Sequence, residues 1–238
     1  VLKRRDEMES WVLELKVFLL EDIESHSAIE KIAALIDSTF DKSEYWKKYH
    51  KDKKVKEYCF NSFYPVKVNA QKYNAGEIYT VQIRTISKEL KEHFMKYLKD
   101  NITKELKGLI IKEKEIKYRY IDKLVSVTPT IIKTENGYWR ENITLEEYEN
   151  RLKLNIIKKY NSIFNEKIDE NIDLFNFIEF KNKVPVKVKY KNINLLGDKL
   201  TLGIAKNETA QKLAFLCLSV GLGEMNARGF SYMNPRWV

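Results

Sequence analysis

Residues 11–20, Trp11-Val12-Leu13-Glu14-Leu15-Lys16-Val17-Phe18-Leu19-Leu20, decide the fold. Leu13, Leu15, Val17 and Leu19 fall on one side and Glu14 and Lys16 on the other, the period-two pattern of a half-buried strand. The same two charges interrupt the apolar run, which argues against a secretory signal core. A helix is expected next. Ser27 with Glu30 three residues on predicts a capping box, and Ile29, Ile32, Ala33, Ile36 and Phe40 recur at helical spacing.

Working outward, residues 57–66 read as a strand, with Tyr58, Phe60 and Tyr64 on one face and Phe63 opposite. A turn around Asn74 to Gly76 leads to a strand in which Tyr79, Val81 and Ile83 alternate with Thr80, Gln82 and Arg84. Ser87 opens a helix through Leu90, Phe94 and Leu98, and a strand near Leu109 to Ile111 closes the unit. The order β-α-β-β-α-β is that of a ferredoxin-like module. The second half has the same organisation without a residue-level repeat. Val125, Val127 and Ile131 suggest its first strand, and Asn136-Gly137 a tight turn. Thr144 with Glu147 forms a second capping box ahead of Tyr148, Leu152, Ile156, Tyr160 and Ile163. Strands are expected at 174–180, at 184–190 with Val184, Val186 and Val188 on one face, and at 199–205 after Gly197-Asp198. Then come a helix through Leu213, Leu216, Cys217 and Val220 and a last strand near 229–236. The expected architecture is α+β, two tandem ferredoxin-like (RRM-like) βαββαβ domains. Residues 1–120 carry a candidate catalytic segment and 121–238 a glycine-rich loop.

Charge narrows the function. Lys and Arg number 43 against 34 Asp and Glu, a formal net charge of +9 with an isoelectric point near 9.2. A surplus of that size favours a polyanionic partner, nucleic acid or an anionic membrane. The longest apolar run, near Leu213 to Leu222, is too short to span a bilayer. Nucleic acid is the partner that remains. Cys59 and Cys217 each lie in an apolar stretch, with neither a second Cys nor a His at ligand spacing. They read as buried thiols in a reducing, cytoplasmic compartment. With no His-Glu-x-x-His, Cys pair or Asp-x-Asp run, neither a metal nor a cofactor is expected.

Two constellations carry chemistry. The first is Gly221-Leu222-Gly223-Glu224-Met225-Asn226-Ala227-Arg228-Gly229-Phe230-Ser231, between a helix and a strand. Glycines permit positive φ and close backbone approach, and successive backbone amides can cradle phosphate. Asn226 and Arg228 add side-chain donors. A Rossmann or Walker loop fits worse, since those follow a strand and open a helix. The bland alternative, a turn that merely ends a helix, needs one glycine. The second is Tyr45-Trp46-Lys47-Lys48-Tyr49-His50-Lys51-Asp52-Lys53-Lys54-Val55-Lys56, with six lysines, three aromatics and one histidine. It could be a solvated connection, yet its lysines suit phosphates and its aromatics suit bases. Cleavage of RNA by its own 2′-hydroxyl needs a base, an acid for the leaving 5′-oxygen and cations at the phosphorus. Tyr49, His50, Lys54 and Lys56 can supply all three, with Lys51 and Lys53 as further phosphate contacts.

The glycine loop, Gly-x-Gly followed by Gly-Phe after a helix in a second ferredoxin-like half, resembles the signature of the CRISPR repeat-processing endoribonucleases of the RAMP superfamily. Ser126-Val127-Thr128-Pro129, Tyr138 and Leu152 to Tyr160 resemble that family's middle region, so the likeness covers most of the chain. One departure is visible. The family usually has Gly-Phe-Gly, and the last position here is Ser231, which would be tolerated if it needs no positive φ.

The resemblance implies a metal-independent endoribonuclease that cuts precursor crRNA within the CRISPR repeat and leaves a 2′,3′-cyclic (or 3′) phosphate and a 5′-hydroxyl. The RNA-gripping residues would be Gly221, Gly223, Asn226, Arg228, Gly229, Phe230 and Ser231. It leaves room for membership of a CRISPR interference complex and for a homodimer. In that family the catalytic histidine often lies in or just after the first helix, ahead of the second strand, which His50 and His26 match loosely; His93 reads as structural or surface. A tyrosine of some relatives corresponds to Asp37 here, leaving Tyr45 or Tyr49, or no residue, as general base. Two rivals remain: a RAMP subunit that coats guide RNA without cutting it, and an RNA-recognition protein with Tyr58, Phe60 and Tyr79 on an exposed sheet face.

Overall fold

The structure, a computed structural model, describes residues 8–67, 71–191 and 193–238. The first half comprises β1 (Trp11–Leu19), β2 (Ile23–Glu24), α1 (Ala28–Asp37), α2 (Glu44–Lys51), β3 (Tyr58–Phe60), β4 (Lys72–Tyr73), β5 (Ile78–Thr85), α3 (Lys88–Tyr97) and β6 (Leu106–Glu115). Then follow β7 (Ile121–Ser126), α4 (Leu145–Phe164), β8 (Phe175–Phe180), β9 (Val186–Tyr190), β10 (Ile193–Gly197), β11 (Leu200–Ile204), α5 (Glu208–Val220) and β12 (Met233–Trp237). The two main sheets run β3-β5-β1-β6 and β12-β7-β11-β8, with antiparallel neighbours throughout. In each, the first strand of the unit lies between the third and the fourth. This is the ferredoxin-like order, twice over, in an α+β chain.

Local chemistry sets most element starts. Ser87, Thr144 and Asn207 each accept a hydrogen bond from the backbone N–H three residues on, satisfying an amide the helix leaves free. The expected box at Ser27 does not form. The chain enters α1 through a 3₁₀ turn, Ser25–Ser27, so Ser27 has φ −101° and ψ −7°, not the extended backbone that aims a cap oxygen at the helix. Leu13, Leu15, Val17 and Leu19 are buried as their alternation requires.

Other expectations move. The strand expected at 125–131 is β7, earlier by several residues. Pro129 cannot donate to a ladder, and residues 127–132 are held instead by the segment 222–232: Tyr232 O accepts from Val127, Pro129 O from Ser231 and Ile131 O from Glu224. The strand expected at 57–66 shortens to β3, and that at 229–236 becomes β12. The lysine-rich connection contains α2, capped by Ser43. An unforeseen strand, β10, pairs with β9 as a hairpin, so Gly197-Asp198 does not join two paired strands. Asp198 is fully buried and accepts from the Tyr138 hydroxyl, Trp139 Nε1, Arg140 and Asn182. Tyr58, Phe60 and Tyr79 face the core, which removes the exposed aromatic sheet. Among the described residues no helix is long and apolar enough to cross a membrane.

The halves meet over α5. Its residues from Ala210 to Val220 are buried apart from Lys212, because one side covers the second sheet and the other reaches β3 and β5 of the first. Cys59 Sγ, on β3, lies 3.4 Å from the Leu218 carbonyl. Arg84, buried on β5, donates to the Met233 carbonyl (2.6 Å) and Asn234 Oδ1 (2.8 Å) of β12, and its guanidinium lies 4.2 Å from the Tyr232 ring centre. At Gly229 the approach is closest. A Cβ there would stand 2.5 Å from Ile29 Cγ2 and 2.7 Å from Phe60 Cε2, at φ +85°. Gly229→Ala should therefore destabilise the protein by about 2–4 kcal/mol, combining a left-handed backbone with overpacking. Urea unfolding at one pH measures this; a change below about 0.5 kcal/mol would mean the halves do not meet there.

Candidate functional site

Asp37, the last residue of α1, organises the site. A carboxylate at a helix C-terminus opposes the macrodipole, and here basic side chains approach it from two directions. Arg228 of the glycine loop donates to Asp37 Oδ2. His50 Nδ1, on α2, stands 3.6 Å from Asp37 Oδ1, within ion-pair range but beyond a hydrogen bond. That oxygen is buried and has no other polar partner among the described residues. Burial raises the Asp37 pKa, while Arg228, His50 and Lys191 act to lower it.

α2 has no fully buried side chain. It rests on Phe40 through Trp46 (6.0 Å between ring centres), Tyr49 (5.7 Å) and His50, whose imidazole stacks on the ring at 5.2 Å and 27°. His93 stacks parallel to Phe40 at 5.4 Å and bonds Thr39 through Nε2; burial lowers its pKa to about 4, as befits a neutral core residue. Lys56 folds back over the Tyr49 ring at 4.5 Å, donating to the carbonyls of Tyr49 and Asp52. Its pKa is lowered by burial first, with Asp52 raising it and Arg228 lowering it.

The expected residues divide. His50 and Arg228 meet at Asp37, and Lys56 lies within electrostatic range of Asp37 and Arg228. Tyr49 stands behind them: burial drives its phenol far up, and its oxygen accepts from Glu57 N–H, so it is placed as a support and not as a proton acceptor. Tyr45 is exposed and packs edge-on against Trp46. Lys51, Lys53 and Lys54 are exposed on and after α2, with Lys54 3.7 Å from Asp52. His26 is exposed in the turn before α1, and the length of that helix puts it about 14 Å from Asp37.

The glycine loop is built inward. Gly221, Gly223 and Gly229 have positive φ, and so does Ser231, at φ 56°. The condition under which a serine would be tolerated there, no positive φ, is not met. Its hydroxyl accepts from the Ile131 N–H and its own N–H donates to Pro129, bonds that hold a non-glycine residue there. Asn226 is spent inside the loop: Nδ2 donates to the Leu222 and Phe230 carbonyls and Oδ1 accepts from Lys159. Phe230 is fully buried against Ile131 and Val188. Of the expected RNA-gripping side chains, only that of Arg228 points to the cluster.

Two features were missed. Lys159 falls on the apolar stripe of α4, in register with Leu152, Ile156 and Ile163, and that register was the available signal. It is buried and donates to the carbonyls of Gly221 (3.0 Å) and Gly223 (2.8 Å) and to Asn226 Oδ1 (2.6 Å). The β9–β10 hairpin packs Val188 on Phe230 and turns Lys187 and Lys189 outward. It also touches the turn before α1, and Tyr190 and Lys191 act electrostatically on Asp37. Val-Lys-Val-Lys was the signal, with a basic face opposite an apolar one. No cluster of three His, Cys, Asp or Glu suited to a metal ion occurs among the described residues.

Two ferredoxin-like units, with a glycine-rich loop of the second docked on the first helix of the first, define a protein of RAMP architecture. The family model for CRISPR associated protein Cas6, C-terminal, matches residues 111–235, more than half of the chain, and the chain belongs to the Cas6 family. Solved structures agree in fold. A CRISPR associated protein Cas6 is 21% identical with a TM-score of 0.67, over 96% of this chain and 100% of that one. A RAMP protein binding different RNA substrates is 15% identical with a TM-score of 0.72, over 95% and 99%. A Thermus thermophilus Cas6 product complex is 12% identical with a TM-score of 0.65, over 97% and 100%. No curated protein sequence matches.

Burial lowers the Lys159 pKa from the ordinary 10.5 to about 8; Cys217, Cys59 and Glu224 face it and raise it, and burial itself pushes both thiols up to about 12. A lowered lysine pKa means that the unfolded chain keeps a proton the native one releases between pH 8 and 10.5, so this group's contribution to stability rises across that window. The stability of the wild type minus that of Lys159→Met should increase by about 2–3 kcal/mol from pH 7 to pH 10. Urea titrations of both proteins read this, and a flat difference would refute the lowered pKa of Lys159.

Proposed function

We propose that this chain is an endoribonuclease that cuts CRISPR precursor RNA within the repeat, without a metal ion, by attack of the ribose 2′-hydroxyl. One observation carries the reading. His50 is seated on Phe40 with Nδ1 toward Asp37, Arg228 bonds the same carboxylate, and Lys56 lies within electrostatic range of both. Family membership and relatives that include a product complex and a substrate mimic complex support it.

In the reaction the 2′-oxygen bonds to phosphorus and the bond to the 5′-oxygen breaks, giving a 2′,3′-cyclic phosphate and a 5′-hydroxyl. His50 handles the proton, by accepting that of the 2′-hydroxyl or by giving one to the 5′-oxygen; Asp37 holds the ring so that Nε2 is free for the task. Lys56, with a pKa lowered by burial, can donate to the leaving oxygen, and Arg228 stabilises charge on the phosphorane. The repeat RNA lies along the basic face formed by α2 and the β9–β10 hairpin, with Lys51, Lys53, Lys187 and Lys189 on phosphates.

A single-turnover assay in EDTA, with a repeat RNA and a copy carrying a 2′-deoxy residue at the cut, tests the chemistry. The first RNA should be cut and the second not, and His50→Ala should slow cutting by about 10²–10⁴-fold while His26→Ala leaves it within about threefold. Binding without cutting would move the chain to the guide-coating class. In a separate titration, Lys187→Ala with Lys189→Ala should weaken binding and flatten log Kd against log salt by about 0.7–0.9 for each phosphate no longer neutralised; an unchanged slope removes the hairpin from the RNA path.

A further inference from the structure

We propose that Lys159 is a positioning residue of this site: its buried ammonium fixes the two limbs of the glycine loop in the arrangement that brings Arg228 to Asp37. The inference rests on the reading above for its kinetic consequence and on geometry alone for its structural one.

The geometry is that of a filled cation seat. Three oxygens, Gly221 O, Gly223 O and Asn226 Oδ1, converge on Lys159 Nζ at 3.0, 2.8 and 2.6 Å, matching the three hydrogens of an ammonium. Asn226 passes the constraint on. With its oxygen held by Lys159, its amide nitrogen can only face the Leu222 and Phe230 carbonyls, 3.1 Å away on the ascending and descending limbs. Arg228 sits two residues past Asn226, before Gly229 docks on Ile29 and Phe60. The physical linkage runs Lys159, Asn226, loop, Arg228, Asp37, His50.

No apolar residue can replace the ammonium without leaving three acceptors unpaired, yet a fully buried lysine is costly to the fold. Its retention on the apolar stripe of α4 is explained if the loop must be held in one conformation. Lys159 itself stays beneath the loop, away from the cluster around Asp37, so its effect there passes through Arg228.

The test uses Lys159→Met, which keeps the stem and removes the donors, and Lys159→Gln, which keeps one polar head without the charge. Melting curves and RNA Kd are measured first, then the single-turnover rate at saturating RNA, and the His50 ring and Arg228 Nε–H signals by NMR without RNA. Cooperative melting, Kd within about threefold, a rate lowered about tenfold or more in Lys159→Met and less in Lys159→Gln, and displaced His50 and Arg228 signals are expected. Kd and rate falling together, unmoved signals, or failure of both variants to fold would overturn it in favour of a core role. If the wild type does not cut RNA, the cleavage reading falls, and the NMR signals still decide the case for Lys159.

Discussion

The contact of bare backbone at Gly229 with Ile29 and Phe60 is the constraint on which the rest depends. Two ferredoxin-like units can each bury one sheet face with their own helices, but their relative placement must be set by something else. Here it is set where the loop after α5 presents no side chain at all, so that α1 and β3 of the other unit approach within contact of its main chain. That approach is what lets a single arginine one residue earlier span to the end of α1.

Buried charge is placed at each joint. Arg84 ties β5 to β12, Lys159 ties α4 to the glycine loop, and Asp198 ties the turn at Trp139 to the start of β11. Each is a poor choice for stability alone, since apolar packing of equal volume often does as well. Each is directional, and an ion with its acceptors or donors in place tolerates one arrangement only. The glycine loop needs this most. With three glycines and Ser231 at positive φ it has backbone freedom in the unfolded chain and few side chains with which to fix a conformation. Lys159 and Asn226 supply from below the hydrogen bonds that a regular element would supply from its own ladder.

The strand and helix order was legible because both periodicities are clean: Leu13 to Leu19 alternates, and Leu90, Phe94 and Leu98 recur by fours. The glycine loop was legible as composition. What was hidden is what a single position cannot reveal without its neighbour. Asp37 looked like a departure from a tyrosine, and only the fold shows an arginine 191 positions later reaching it. Its place at the wrong end of a helix dipole was the one local sign. Lys159 was hidden because a lysine beside Lys158 reads as surface, although the helical register put it on the apolar stripe. The β10 strand was hidden because Ile193 to Gly197 lacks the alternation of a half-buried strand; its side chains are mostly exposed on a two-stranded ribbon.

Electrostatics then sort the aromatic and basic residues of the 45–56 segment into two layers. Trp46, Tyr49 and Phe40 form the inner one, and a phenol raised by burial as far as Tyr49 is a wall and not an acceptor of protons. His50 and Lys56 form the outer one, half-exposed, with Lys56 lowered by burial and the Asp37 carboxyl raised by it. Burial thus moves the lysine and the carboxyl toward each other in pKa. Arg228 and His50 act against that pull, lowering the carboxyl pKa. The arginine from the other half thus does more than join two domains: it favours the charged form of the carboxyl that faces His50.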